Sequence, residues 1–99
     1  MSYDIEIGDL DFSPTYNFAP MFRRLFDNPL GIKSLNGMKG RECVVTLLIA
    51  VSALTVYRSS YESLEDPNGW GTINQCRRLL LDMADACIKS PDDYVEVLG

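Results

Sequence analysis

Between Cys43 and Tyr57 the chain is apolar apart from Thr46, Ser52 and Thr55. A run of this kind constrains the fold more than any other segment. It is too short to cross a bilayer and reads as the start of a core helix, apolar almost all round and therefore central. The pattern predicts a main helix from Arg41 to about Leu64, apolar first and amphipathic over Arg58 to Glu65.

The neighbouring segments arrange themselves about that helix. Tyr3-Asp4-Ile5-Glu6-Ile7 alternates apolar and acidic residues, the period of a strand with Tyr3, Ile5 and Ile7 facing inward. Gly8 ends the run, and residues 9 to 17, with Pro14, read as a loop. Asn17 is positioned to cap a short helix from Ala19 to Phe26 with Pro20 in its first turn. Met21, Phe22, Leu25 and Phe26 form the apolar side of that helix, and Asn28-Pro29 stops it. Residues 28 to 40 contain Gly31, Gly37 and Gly40 and read as a flexible or tightly turning connection.

Pro67-Asn68-Gly69-Trp70-Gly71 encodes a tight turn: proline pre-sets φ, and Asn and Gly tolerate positive φ. The turn holds the only tryptophan. Thr72 follows as a helix cap. Ile73, Cys76, Leu80, Met83, Ala84 and Cys87 then recur at helical spacing to about Lys89, with Arg78 and Asp82 placed to pair on the opposite side. Ser90-Pro91 breaks the helix, and Tyr94 to Leu98 is a second strand. The expectation is one α+β domain over residues 1–99, β-α-α-α-β, its terminal strands paired and packed on a helical core.

Charge is unevenly distributed. The formal net charge is −5, which disfavours DNA, RNA and anionic membranes as partners. Five of the nine basic residues, Arg23, Arg24, Lys33, Lys39 and Arg41, lie between positions 21 and 41. Seven of the fourteen acidic residues, Asp4, Glu6, Asp9, Asp11, Asp92, Asp93 and Glu96, lie near the ends. Pairing the terminal strands would gather that acid on one side, apart from the basic segment.

The chemistry inventory is short. The absence of histidine removes Ser-His, Cys-His and His-metal arrangements in their usual forms. Cys43, Cys76 and Cys87 lack metal-ligand spacing, and their odd number argues against a disulfide scaffold. The expectation is a non-enzymatic protein with no cofactor and no metal. The acidic N-terminus has no signal-peptide pattern, and a reducing, cytoplasmic setting fits the cysteines.

Two binding classes follow. Gly37-Met38-Lys39-Gly40-Arg41 places glycines and cations before a helix, as a phosphate-binding segment does, although it matches neither standard glycine-rich motif. Arg23, Tyr16, Asn17, Asn68 and Trp70 could supply further charge, hydrogen bonds and stacking surfaces. The ligand-binding set expected for a phosphate-containing nucleotide is therefore Tyr16, Asn17, Arg23, Lys39, Arg41, Asn68 and Trp70. A chain of this length has little room for an enclosed pocket, so such a site points to a homo-oligomer. The second class is a protein–protein inhibitor or adaptor that docks through acidic strand residues Asp4, Glu6 and Glu96 and exposed aromatics. A virion component is a third, plainer possibility.

Met1-Ser2-Tyr3-Asp4, Asn17-Phe18-Ala19-Pro20-Met21-Phe22, Glu42-Cys43 and Pro67-Asn68-Gly69-Trp70-Gly71 resemble, in that order, a family of small bacteriophage and actinobacterial proteins. The resemblance covers nearly the whole chain. It carries no catalytic residues. Residues 28 to 40 depart from the family pattern in being richer in glycine and lysine, and the main helix is more apolar. The resemblance implies a phage accessory protein that counters host defence, either by sequestering a nucleotide signal or by binding a host defence protein. It places such a protein in the host cytoplasm.

Overall fold

A computed structural model describes all residues, Met1–Gly99. The alternating N-terminal residues form strand β1, Asp4–Ile7, with Ile5 and Ile7 buried and Asp4 and Glu6 exposed. Residues 9 to 17 are not simply a loop. Ile7 pairs with Leu10 across a two-residue turn in which Gly8 takes a φ of 59°, and the chain returns as strand β2, Leu10–Phe12. Gly8 is therefore the hinge of a hairpin rather than the end of an isolated strand. Strand β3, Glu96–Leu98, pairs antiparallel with the other edge of β1, so the sheet order is β2-β1-β3. The terminal strands pair as the sequence predicts, and the domain is α+β.

Helix α1 spans Ala19–Leu25, with Pro20 in its first turn and Met21 and Phe22 buried. Asn17 does not cap it. Thr15 takes the capping role one step earlier: its side chain accepts from the Asn17 N–H, and Tyr16–Phe18 forms a 3₁₀ turn leading into α1. Residues 28 to 40 are likewise more ordered than their glycines imply. Gly31–Leu35 is a 3₁₀ helix that buries Ile32 and Leu35 against the core, and Asn36 accepts a hydrogen bond from the Val97 N–H in β3.

Helix α2 spans Gly40–Val56 and ends eight residues before the expected boundary at Leu64. The chain bends by 94° after Val56 and continues as two 3₁₀ turns, Arg58–Ser60 and Glu62–Leu64. The bend has a packing reason. Tyr61 is buried, whereas Tyr57 is exposed, so the two tyrosines do not share the face a continuous helix would give them. No single helix is long and apolar enough to cross a membrane.

Helix α3, Ile73–Lys89, begins where the sequence predicts. Thr72 accepts from the Gln75 N–H while the Gln75 side chain accepts from the Thr72 N–H, a reciprocal cap. Helices α2 and α3 pack antiparallel: Arg77 donates to Thr55 near one end, and Cys87 meets Cys43 near the other. Their facing sides, with the inner face of the sheet, make one core containing Ile5, Ile7, Leu47, Leu54, Leu80 and Met83.

Candidate functional site: an acidic sheet face and a clamped tryptophan turn

The exposed face of the sheet is built by strand parity. Asp4 and Glu6 of β1 and Glu96 of β3 alternate with buried apolar neighbours and stand on the outer side, and Asp11 of the edge strand β2 joins them by its pairing with Glu6. Register then aligns three of them. Glu6 lies directly opposite Asp11 on one side and Glu96 on the other, giving a transverse row of carboxylates Asp11–Glu6–Glu96. None of the ion pairs in the fold neutralises it: Arg41 pairs with Asp92, Arg78 with Asp82, and Lys89 with Asp85. Asp9, Asp93 and Tyr94 surround a depression of about 330 Å³ at the end of this row, between Glu6 and Glu96.

Like charges directly opposite one another across strands are unfavourable. The consequence is visible at Glu6, whose carboxyl titrates above its ordinary value, first because of Glu96, then Asp11, with Asp4 adding a smaller push. A carboxyl with a higher pKa in the folded than in the unfolded chain takes up its proton first in the folded state. Its contribution to stability is present below the unfolded pKa and is lost as pH rises through the folded one. Acidifying from pH 7 towards 4.5, the ordinary glutamate value, should therefore relieve the row, as should salt, since the group is exposed. In thermal melts the Glu6→Gln variant should gain about 2–4 °C at neutral pH and show a flatter dependence over this range. Identical pH profiles for the two proteins would show that the three carboxylates do not interact.

The tryptophan turn is rigid and outward-facing. Asp66 accepts from the Asn68 and Gly69 N–H groups through its side chain and carbonyl respectively, while Gly69 and Gly71 take φ values of 81° and 88°. Gln75 clamps the turn from α3: its side-chain oxygen accepts from Gly71 and Thr72, and its amide donates to the Gly69 carbonyl. Glu65 accepts from the Ile73 N–H. Held this way, Trp70 is still 65% exposed. Its ring does not lock α2 to α3; the polar clamp fixes the turn without it.

A groove of about 660 Å³ joins the two features. Asp11, at one end of the carboxylate row, and Gln75, the clamp of the Trp70 turn, both line it, with Phe12, Phe18 and Leu79 as apolar lining. Asn17 lies beside the turn: a Cβ at Gly71 would stand 3.1 Å from the Asn17 backbone, and the φ of 88° itself favours glycine there.

The remaining residues of the expected ligand-binding set separate. Tyr16 and Arg23 share a second groove of about 410 Å³ with Tyr3, Leu30 and Lys33. Tyr16 meets Tyr3 edge to face at 4.7 Å. Burial raises the Tyr3 hydroxyl pKa, and the Arg23 guanidinium partly offsets that rise, which places its charge at the tyrosines. Lys33 is the cation that residue-type reasoning omitted; its place on a loop of unassigned geometry hid its proximity to Arg23.

Lys39 and Arg41 lie elsewhere, and they do not form the expected phosphate cradle. The Gly37, Gly40 and Arg41 N–H groups donate to the carbonyls of Val95, Asp93 and Pro91, so the segment after α3 occupies the backbone donors an anion would need. Arg41 is ion-paired with Asp92, and the Lys39 ammonium sits 5.8 Å from the Tyr94 ring centre. The three cysteines are buried. Burial pushes the Cys76 thiol up to about 12, and a hydrogen bond with Cys87 together with burial raises Cys43, so neither supplies a ready thiolate.

No protein-family model matches the chain, and no curated protein or solved structure is detectably similar to it.

Proposed function

We propose that this protein is a non-enzymatic binding module that docks on a basic protein surface, using the carboxylate row to attract it and Trp70 to anchor it. The carrying observation is the Asp11–Glu6–Glu96 alignment, in which like charges face one another and none is ion-paired within the chain. Such an arrangement costs stability in the free protein and is relieved when a partner brings lysine or arginine. Trp70 supports the same reading. A tryptophan already fixed on a clamped turn loses little freedom on binding, and tryptophan is enriched among residues that dominate interface energetics. With the resemblance to small phage proteins, this reading makes the partner a host defence protein and the setting the host cytoplasm.

A second reading is favoured by one observation: the groove that gathers Arg23, Lys33, Tyr16 and Tyr3. Neither cation has a carboxylate partner among the ion pairs of the fold. Two cations beside two phenol rings suit a phosphate-containing nucleotide, which the protein would sequester rather than convert.

One experiment separates the readings. The full chain, a Glu6→Gln/Asp11→Asn/Glu96→Gln variant, a Trp70→Ala variant and an Arg23→Ala/Lys33→Ala variant are immobilised, exposed to bacterial host lysate and washed at low salt. Under the docking reading a basic protein is retained by the wild type, lost from the first two variants and kept by the third. Native mass spectrometry of the same preparations reports bound nucleotide. A nucleotide-sized mass that disappears only with Arg23 and Lys33 would overturn the docking reading in favour of sequestration. Equal retention by all four proteins, with no small-molecule mass, would remove both.

A further inference from the structure

Helix α2 buries Cys43, Leu47, Ala50, Val51 and Leu54, yet its opposite side is also apolar. Val45, Leu48, Ile49 and Val56 are exposed along one stripe, with Ser52 completing the helical spacing and Tyr57 at its end. Ile49 and Val56 are 64% and 71% exposed, comparable to free surface positions. The contrast with α3 is informative, because the outer side of that helix carries Arg77, Arg78, Asp82, Asp85 and Lys89 and a single exposed large apolar residue, Ile88. Nothing in the fold covers the α2 stripe.

We propose that this stripe is a two-fold interface with a second copy of the chain, the two α2 helices packing antiparallel with the axis between Ile49 and Ser52. Three features select that occupant. The first is contiguity. Val45, Leu48, Ile49 and Val56 are exposed together on one helix face, a contiguous apolar patch of the kind that marks an interface rather than scattered surface residues. The second is charge. Glu42, in the first turn of α2, and Arg58, in the 3₁₀ turn just past its end, are both exposed and lie beyond opposite ends of the stripe. Antiparallel packing sets each Glu42 near the partner copy's Arg58, whereas parallel packing would oppose like charges. Arg58 is already steadied by donating to Asn74 at 3.1 Å. The third is shape: Ser52, with the neighbouring Ala53, is small at the centre, where two helices must approach to about 8–10 Å. The carboxylate row is on the sheet, so dimerisation leaves it free and duplicates it.

The test is the solution mass of the full chain, by sedimentation equilibrium across micromolar concentrations. A dimer is expected. Ile49→Asp should raise the dissociation constant by about 100-fold or more while circular dichroism stays unchanged, since the side chain lies outside the core. Glu42→Arg should weaken the dimer by about 5–10-fold, and the Glu42→Arg/Arg58→Glu exchange should recover most of that loss. Ser52→Cys should cross-link to its own copy on oxidation. A wild-type monomer at about 100 μM overturns the proposal, whether or not the stripe then binds lipid vesicles or another protein. A dimer that survives Ile49→Asp with unchanged affinity overturns it as well. A dimer that loses affinity with Ile49→Asp but not with Glu42→Arg rejects the antiparallel arrangement.

Discussion

Gly40→Ala should destabilise the domain by about 3–5 kcal/mol and lower Tm by more than about 10 °C. Alanine is the better helix former, and at an unencumbered helix position the exchange would be worth up to about 1 kcal/mol in its favour. Here the surroundings reverse the sign. A Cβ at Gly40 would stand 2.4 Å from the Ser90 carbonyl oxygen, 2.9 Å from that of Cys87 and 3.1 Å from the Pro91 Cα. All three are backbone atoms at the end of α3 and just beyond it, and cannot rotate away as a side chain can. Separation would stretch the Gly40–Asp93 and Arg41–Pro91 hydrogen bonds, which tie the start of α2 to the segment leading into β3.

Gly37→Ala is the matched control. Gly37 has a φ of 87° with nothing within 4 Å of the added methyl, so its loss is confined to backbone strain of about 1–2 kcal/mol. Urea unfolding of both variants decides the matter. Equal, small losses would show that α2 and the 90–93 segment do not approach closely. The backbone donors of Gly40 and Arg41 would then be open to an anion, and a phosphate cradle at Lys39 and Arg41 would return to consideration.

That contrast shows what residue patterns expose and what they hide. The strands at the termini, α3 from Ile73 and the inward set Tyr3, Ile5 and Ile7 follow from local periodicity and capping, so they are legible from single segments. Gly40, the first residue of α2, is legible only as a glycine. An anion and a close backbone both call for a missing Cβ, and the chain that fills the space comes fifty residues later. The β2 strand escaped because it is only three residues long, with one charged member, and because Gly8 looks like a terminator until its partner Leu10 is known. The end of α2 escaped because Arg58 to Leu64 retains helical composition, whereas the burial of Tyr61 is a tertiary demand. The acidic surface was foreseeable in outline from the charge at both ends. Its alignment into Asp11–Glu6–Glu96 depends on register, including that of the unanticipated strand.

Phe22→Ala should cost about 3–5 kcal/mol, the range for removing a buried phenyl ring where the cavity cannot collapse. Phe22 is fully buried, and its ring centre lies 5.4 Å from Phe18, 5.8 Å from Tyr3 and 6.2 Å from Phe26. These partners come from the 3₁₀ turn, the residue preceding β1 and the residue following α1, so one ring holds three segments together. Its Cβ also supports the turn at Gly31, where a side chain would stand 3.2 Å away. Against a total stability of about 5–15 kcal/mol for a domain, the loss leaves a folded but weakened protein in the favourable case. The deficit should be local in effect. Tyr3 is the shared wall between Phe22 and the Tyr16–Arg23–Lys33 groove, so that groove should loosen, while the Trp70 turn keeps its Gln75 hydrogen bonds. Denaturant unfolding measures the energy, and hydrogen exchange locates the opening. A loss below about 1 kcal/mol would mean that the ring is not a keystone. If exchange instead accelerated first at Gly69 to Thr72, the two grooves would be mechanically linked, and a partner at Trp70 could alter affinity for a nucleotide at Arg23.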